Sequence, residues 1–265
     1  MTSVPRLNRR SVLFGAAASL LWLPPRPASA AYDYGAAIDV AGRQRMLTQR
    51  IVKAYCQLGL EVTPEASRLQ LADALRRFET RLAFLRRTVP GQAARHALDR
   101  VAVLWQPMRR AAGGVVSRDG ARTLAQRSED LLRAAQDVVV LLQDQAGTPQ
   151  AKLVNTSGRQ RMVSQRMAKC YMLRAWGLDT AQNRDQLDSG ANEFSGALDM
   201  LRAAPENTPH IAKELDKASM EWEWFAAAIS QPDAQSYALV VADASEIILN
   251  SMDLITALYA DLARG

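Results

Sequence analysis

The sequence predicts an all-α protein built of two tandem four-helix up-and-down bundles, and three observations lead to this prediction. A segment of 14 residues recurs later in the chain with most of its letters unchanged. Long stretches rich in Ala, Leu, Arg and Gln place apolar residues three and four positions apart, which is the spacing of a buried helix face. Gly and Pro residues divide these stretches into segments of helical length.

The repeat is the strongest of these observations. Residues 42–55 read GRQRMLTQRIVKAY and residues 158–171 read GRQRMVSQRMAKCY, with nine of the 14 positions identical. Further on, LDRVAVLW at 98–105 corresponds to LDKASMEW at 215–222. A colinear correspondence of this length indicates that a whole module was duplicated. We therefore predict one module over residues 31–147 and a second over residues 148–265, related by internal duplication and paired through their first helices.

Each module is expected to contain four helices of roughly 20 to 28 residues. The first helix carries the repeated motif, and the other three follow between helix breakers. Short connections favour antiparallel neighbours, as in an up-and-down bundle. In chain order the breakers are Thr63-Pro64, Pro90-Gly91, Gly113-Gly114, Gly147-Thr148-Pro149, Gly177, Pro205 with Pro209, and Pro232.

Residues 1–30 predict an export signal rather than part of a bundle. They contain four arginines and no acid, an apolar run from Val12 to Leu23, and Ala28-Ser29-Ala30 as small residues before a cleavage point. The run has about 12 residues, whereas a bilayer-spanning helix needs roughly 20. Arg9-Arg10 is typical of a twin-arginine signal, with the general secretion route and a buried N-terminal helix as alternatives. The mature product is expected in the periplasm, if the host has two membranes.

Composition excludes several classes of function. After residue 30 the chain has 29 basic and 27 acidic residues, so nucleic acid is not expected as a partner. Two Cys and two His cannot form a disulfide framework or a Cys-rich zinc site. Cys56 and Cys170 are expected to be buried and unpaired. No catalytic triad, carboxylate pair, nucleotide loop or haem-attachment motif is evident, so we predict neither an enzyme nor a bound metal or cofactor.

The first helix of each module has two apolar faces. At 100° per residue, Gly42, Arg45 and Gln49 share one face with small apolar residues, and Leu47 and Ile51 lie on the roughly opposite face. The Leu-Ile face suits the core of the module itself. The other face must therefore pack against another element, and its copy in the second module is the best candidate.

This pairing would place Arg45 opposite Arg161 in an apolar contact. Two like charges about 5 Å apart repel by roughly 3 kcal/mol at an effective dielectric of 20, and an anion between them turns repulsion into attraction. Each planar guanidinium group can offer two parallel donors to an oxyanion. The candidate ligand-binding residues are Gly42, Arg45, Gln49, Gly158, Arg161 and Gln165.

Other residues have more ordinary interpretations. Arginines near the core side of the motif helices are expected to pair with acids on neighbouring helices; these are Arg43, Arg50, Arg159 and Arg166. Three tryptophans in apolar stripes are expected in the core; these are Trp105, Trp222 and Trp224. Tyr55 and Tyr171 occupy matching places and either reach a pocket or only pack.

The motif also resembles a known family. Residues 38–46, IDVAGRQRM, and residues 154–162, VNTSGRQRM, are similar to the first helix of PilJ-type sensor domains. These are extracytoplasmic modules of type IV pilus methyl-accepting transducers and of NarX-like nitrate and nitrite sensor kinases. In the nitrate sensors, a Gly-x-x-Arg-Met element from each of two subunits brings two arginines onto one anion. By position those arginines would be Arg45 and Arg161, with Gly42 and Gly158 beside them.

The resemblance implies a periplasmic sensor or binding protein for a small oxyanion, nitrate or nitrite. Its partner would be a membrane receptor, a sensor kinase or a transporter component. An alternative is a helical interaction module without a ligand, docking on a membrane receptor or a pilus-associated transducer. A third is an enzyme or cofactor carrier, which rests only on the twin-arginine pattern.

Overall fold

Eight α-helices make up nearly all of the chain that the structure describes. The computed structural model describes residues 1–2 and 32–263, and no residue in these ranges belongs to a β-strand. The helices are α1 Tyr34–Gly59, α2 Pro64–Thr88, α3 Gln92–Ala112, α4 Arg118–Ala146, α5 Pro149–Ala175, α6 Ala181–Arg202, α7 Pro209–Ile229 and α8 Ala238–Leu262. The predicted all-α fold is confirmed, whereas the expected export signal lies, apart from its first two residues, outside the described residues. None of the described helices is long and apolar enough to cross a membrane.

The helices form two groups of four. In the first group α1 lies against α2 and α4, and α3 lies against α4. In the second group α5 lies in the same way against α6 and α8, and α7 lies against α8. The most extensive contact joins α1 to α5. The two groups therefore meet through their first helices, as the two-faced pattern of the motif predicts.

We call the contact between α1 and α5 the seam, and the two helices run parallel along it. A Cβ atom added to Gly42 in α1 would lie 3.3 Å from Nη2 of Arg161 in α5. At the other end, a Cβ atom on Gly59 would lie 2.0 Å from the ring of Trp176, which caps the end of α5. Glycine at this position thus allows the indole to lie directly on the α1 backbone. Corresponding residues of the two motifs consequently lie at the same level of the seam.

The helix ends follow from capping residues in the sequence. Five helices begin at a side chain that accepts a backbone N–H from the first turn, an interaction that contributes about 1 kcal/mol. The capping residues are Asp33, Ser117, Thr148, Thr180 and Thr208. Proline opens α2, α5 and α7, where its missing N–H would have no partner in the helix. The predicted breakers accordingly separate the helices.

Two of the three tryptophans lie in the core at matching places. Trp105 stacks on Phe78 with ring centroids 4.1 Å apart, and Trp222 stacks on Phe194 at 4.5 Å. The prediction for Trp224 is wrong, because its side chain is 80% exposed. Two residues after Trp222, it lies about 200° further round α7 and therefore faces away from the core.

The motif tyrosines hold the connection that precedes the last helix of each group. The Tyr55 hydroxyl donates to the carbonyl oxygen of Val115 at 2.8 Å and accepts from the N–H of Ser117 at 3.1 Å. Tyr171 donates to the carbonyl oxygen of Gln231 at 3.4 Å. Both hydroxyl groups thus fasten a loop to the motif helix.

Removing the Tyr55 hydroxyl is expected to be the more costly change. Tyr55→Phe should lower the free energy of unfolding by about 1–2 kcal/mol, because it leaves two loop groups without their partner. Tyr171→Phe, which loses one long hydrogen bond, should cost less than half as much. Urea denaturation of the two variants side by side measures the difference, and equal losses would contradict this assignment.

Candidate functional site

The two arginines predicted to face each other are both completely buried at the seam. Arg45 and Arg161 have side chains with 0% exposure. A Cβ atom added to Gly42 would lie 3.3 Å from Nη2 of each arginine, so the two Nη2 atoms are no further apart than twice that distance. A Cβ atom on Gly158 would lie 3.0 Å from Nη2 of Arg161 and 3.7 Å from that of Arg45. The two glycines therefore leave the space in which the guanidinium groups converge.

Each guanidinium group reaches across the seam to the backbone of the other helix. Nη2 of Arg45 donates to the carbonyl oxygen of Asn155 at 3.4 Å, and Nη2 of Arg161 donates to that of Asp39 at 3.4 Å. These reciprocal contacts give the centre of the seam an approximate twofold relation.

The side-chain partners break this twofold relation, because of the two arginines only Arg161 forms ion pairs with carboxylates of the described residues. Nη1 of Arg161 lies 2.7 Å from a carboxylate oxygen of Asp39 and 2.7 Å from one of Asp253 on α8. Arg43 also pairs with both carboxylates, at 3.1 and 2.5 Å. Arg161 is therefore a buried cation whose charge is compensated by two carboxylates that it shares with Arg43.

Arg45 has no such compensation. Its Nη1 donates to the amide oxygen of Gln136 on α4 at 2.6 Å, and no carboxylate of the described residues forms an ion pair with it. Its Nε is buried and has no hydrogen-bond partner among the described residues. Burial lowers the pKa of Arg45 to about 9, helped by the nearby charges of Arg159 and Arg161 and opposed by that of Glu193. The group thus stays charged at neutral pH, although no carboxylate of the described residues is bonded to it.

The difference between the two sides arises from two aligned positions. Asp39 in α1 corresponds to Asn155 in α5, and Gln136 in α4 corresponds to Asp253 in α8. Each half thus contributes one carboxylate and one amide, and both carboxylates lie at Arg161 while both amide residues lie at Arg45. The sequence analysis missed all four residues, although comparing acids with amides at the repeat offset would have found them.

The two predicted glutamine ligands are bonded elsewhere in the structure. The amide nitrogen of Gln49 donates to the hydroxyl of Thr48 at 2.9 Å, and that of Gln165 donates to the carbonyl oxygen of Ser245 at 2.9 Å. Each amide nitrogen has a second N–H, so these bonds orient the side chains without using all of their donors. The structure therefore brings together Gly42, Arg45, Gly158 and Arg161, with the two glutamines oriented to other groups.

Two buried lysines, which the sequence analysis did not single out, cross the seam further along. Lys53 of α1 donates to Glu246 of α8 at 2.5 Å, and Lys169 of α5 donates to Glu129 of α4 at 2.7 Å. Burial, opposed by the nearby Glu246, lowers the pKa of Lys53 to about 8. These pairs tie each motif helix to the last helix of the other group.

The arginines expected to pair with neighbouring acids do so. Arg43 pairs with Asp253, Arg50 pairs with Glu246, and both Arg159 and Arg166 pair with Glu193. The last-helix acids reached by Arg43 and Arg50 belong to the other group of helices, so these ion pairs also cross between the groups.

The two cysteines are free and buried, as expected. Burial raises the pKa of both thiols, with a smaller opposing influence from Lys169. Neither is poised as a reactive thiolate, since nucleophilic cysteines have a lowered pKa. Among the described residues, no group of three His, Cys, Asp or Glu side chains is arranged to hold a metal ion.

Acid is expected to destabilise these ion pairs. Burial works to raise the pKa of Asp253, but Arg161 and Arg43 outweigh it and hold this pKa below its ordinary value of 3.8. Lys53 and Arg50 in the same way lower the pKa of Glu246 below 4.5 despite its burial. In the range where the two forms differ, the unfolded chain binds more protons than the folded one. The stability contributed by these carboxylates is therefore complete above their ordinary pKa and is lost as the pH falls through the lowered values.

Urea denaturation at a series of pH values below about pH 5 measures this loss. Glu246→Gln should reduce the slope with which the unfolding free energy falls as the pH is lowered, because it removes one of these two carboxylates. Glu223→Gln, on the exposed side of α7, is the control and should leave the slope unchanged. A Glu246→Gln slope equal to that of the unaltered chain would contradict the assignment.

A surface cavity lies near Arg45. It has a volume of about 340 Å³ and is lined by Asn155, Arg159 and Glu193 among others. Because Asn155 accepts the Nη2 hydrogen bond of Arg45, the inner wall of this cavity lies one residue away from the buried guanidinium group. The ion pair of Arg159 with Glu193 stands in the cavity wall.

Fold and site together define a helical bundle protein with a buried, partly uncompensated arginine pair at the contact between its two halves. The family model described as the type IV pili methyl-accepting chemotaxis transducer N-terminal domain, PilJ, matches residues 31–137 and again residues 145–244. The chain therefore belongs to the PilJ family and carries two such domains in tandem. This family is a sensory and signalling one rather than a family of enzymes, so the chain is a helical sensory or signalling module. Among the curated proteins and the solved structures, none matches this chain.

Proposed function

We propose that this chain is a periplasmic sensor or binding protein for one small oxyanion, held in the seam by Arg45 and Arg161. Nitrate or nitrite is the ligand that the resemblance to nitrate sensors implies. The chain would signal to, or deliver the anion to, a separate membrane receptor, sensor kinase or transporter component.

The observation that carries this proposal is the buried charge of Arg45, which lacks the carboxylates that Arg161 has. An isolated buried charge is costly, and removing it from water is offset only by a close opposite charge. An anion bound at Arg45 would supply what Asp39 and Asp253 supply to Arg161. It would also relieve the repulsion between the two guanidinium groups.

The geometry of Arg45 suits a small planar ligand. Within the described part of the chain, its Nε has no hydrogen-bond partner and its Nη2 has only the 3.4 Å contact with Asn155. These two N–H groups form one edge of the guanidinium plane and can bind two oxygens of one anion in parallel. Arg45, Arg161 and the partly buried Arg43 carry three positive charges against the two negative charges of Asp39 and Asp253. One monovalent anion would therefore balance the charge of these five groups.

Anion binding could be transmitted because the arginines link helices of both groups. Arg45 joins α1 to α4 and α5, and Arg161 joins α5 to α1 and α8. An anion on the Nε–Nη2 edge of Arg45 would compete with the 3.4 Å contact to Asn155 and so change how α5 is held against α1. A ligand shifts such an equilibrium by the difference of its affinities for the two arrangements.

Isothermal titration calorimetry with nitrate, nitrite, sulfate and phosphate tests the proposal. We expect one site per chain for nitrate or nitrite, with a Kd of about 1 mM or tighter. Arg45→Met should abolish the heat of binding. Arg133→Met, which removes an exposed arginine of α4, is the control and should bind as the unaltered chain does. No heat with any of the four anions would refute the oxyanion function.

A second candidate function, partner docking without a ligand, is favoured by an exposed apolar surface. Met220 and Trp224 of α7 lie beside Val240 and Ile247 of α8 around a shallow groove, and all four side chains are at least half exposed. Exposed apolar groups gathered in this way are typical of interaction surfaces. Under this function no oxyanion would raise the melting temperature, and Arg45→Met would leave partner binding unchanged.

A further inference from the structure

A second cavity, away from Arg45, has a charged pair in its wall. It lies where α4, α5 and α6 meet and has a volume of about 320 Å³, which is the size of a small-molecule site. Lys169 and Glu129 both line it, and their ion pair is 2.7 Å long. The Lys169 ammonium group also lies 3.4 Å from the amide oxygen of Gln186, another lining residue. The cavity thus presents a buried cation, a carboxylate and an amide to whatever enters it.

The corresponding ion pair, Lys53 with Glu246, has a third charged residue bonded to its carboxylate. Glu246 is bound by Lys53 and also by both guanidinium nitrogens of Arg50, at 2.8 and 2.6 Å. Arg166, which aligns with Arg50, turns instead to Glu193. Lys169 is accordingly the only cation of the described residues that pairs with Glu129. Among the described residues Glu129 therefore lacks the second cation that Glu246 has, and it lines the cavity.

We propose that this cavity binds a small zwitterion of the α-amino acid type. The ligand ammonium group binds Glu129 and supplies the second cation that Arg50 supplies to Glu246. The ligand carboxylate accepts from Lys169 and from Arg122, which lines the same cavity and pairs with the exposed Asp119 in the structure. Gln126 and Gln186 line the cavity as uncharged hydrogen-bonding groups.

The charges in the wall favour a zwitterion over a simple ion. A lone anion would compete with Glu129 for Lys169, and a lone cation would compete with Lys169 for Glu129. Either would leave the partly buried pair with an unbalanced charge, which is costly. A ligand with both charges adds two opposite contacts and keeps the balance.

A thermal-shift screen of the twenty amino acids, followed by calorimetry of those that bind, tests the proposal. At about one hundred times its Kd, a ligand should raise the melting temperature by about 5 °C. Acetate and methylammonium, each carrying one of the two charges, should cause no shift at the same concentration. Arg45→Met should bind the amino acid normally, which separates this site from the oxyanion site.

Two variants decide the location of the site. Glu129→Gln removes the carboxylate charge, and Ala125→Phe fills the cavity from a half-buried position of α4 without touching the ion pair. Both should lose amino-acid binding by at least about 100-fold. If Glu129→Gln does not fold, Ala125→Phe decides alone. Absence of binding by all twenty amino acids, equal binding of acetate, or full binding in Ala125→Phe would overturn the proposal.

Discussion

Gln136→Glu is expected to abolish oxyanion binding and to stabilise the protein. The substitution keeps the shape of the side chain and adds a carboxylate 2.6 Å from Nη1 of Arg45, at the place that aligns with Asp253. The guanidinium group would then carry its counter-ion permanently, as Arg161 does. We expect the affinity for nitrate or nitrite to fall by at least about 100-fold. The free energy of unfolding should rise by about 2 kcal/mol, because a neutral hydrogen bond becomes a charge-assisted one.

Calorimetry and urea denaturation of the same protein sample measure both effects. Gln145→Glu is the matched control, since it adds the same charge to an exposed position of α4. It should leave anion binding and stability nearly unchanged. If Gln136→Glu bound the oxyanion as tightly as the unaltered chain, the uncompensated charge of Arg45 could not be the binding determinant.

The two variants that replace a seam arginine with Met are expected to differ strongly in stability. Arg161→Met removes the common partner of Asp39 and Asp253 and leaves both partly buried carboxylates to Arg43 alone. The free energy of unfolding should fall by about 3–5 kcal/mol, as it does when one member of a buried pair is removed. Arg45→Met removes a buried charge that has no carboxylate, so stability should change by less than about 1 kcal/mol or rise.

Urea denaturation of both variants, with unchanged m-values, tests this asymmetry. A third variant, Asp253→Asn, should destabilise in the same direction as Arg161→Met, and the double variant should cost less than the two single losses combined. Equal losses for Arg45→Met and Arg161→Met would show that the two arginines are electrostatically equivalent.

The all-α fold and the pairing of α1 with α5 could be predicted because both follow from local patterns. The period of the apolar residues marks the helices, and a motif with two apolar faces can only be buried between two elements. The burial of Arg45 and Arg161 follows from the same pattern, since both lie on the face that no core of their own group requires.

The partners of these arginines could not be predicted from the motif. Asp253 lies 92 residues from Arg161, and Gln136 lies 91 residues from Arg45. Their contacts depend on how α4 and α8 pack, which helical periodicity does not specify. The prediction that Trp224 lies in the core was wrong for a related reason, because a helix rich in aromatic residues can look apolar on every side. In the structure Trp222 is buried and Trp224 is 80% exposed, so the two residues lie on different faces of α7.

The unlike residues at positions 39 and 155, and at 136 and 253, have a consequence that only a single polypeptide permits. An assembly of two identical subunits must present the same side chain on both sides of its axis, so a ligand on that axis meets two equivalent sets of groups. In this chain the two sets are encoded separately: Arg161 has carboxylate partners, whereas Arg45 has amide partners. Under the proposed function, a bound anion would therefore change the contacts that Arg45 makes with α4 and α5 and leave the ion pairs of Arg161 in place.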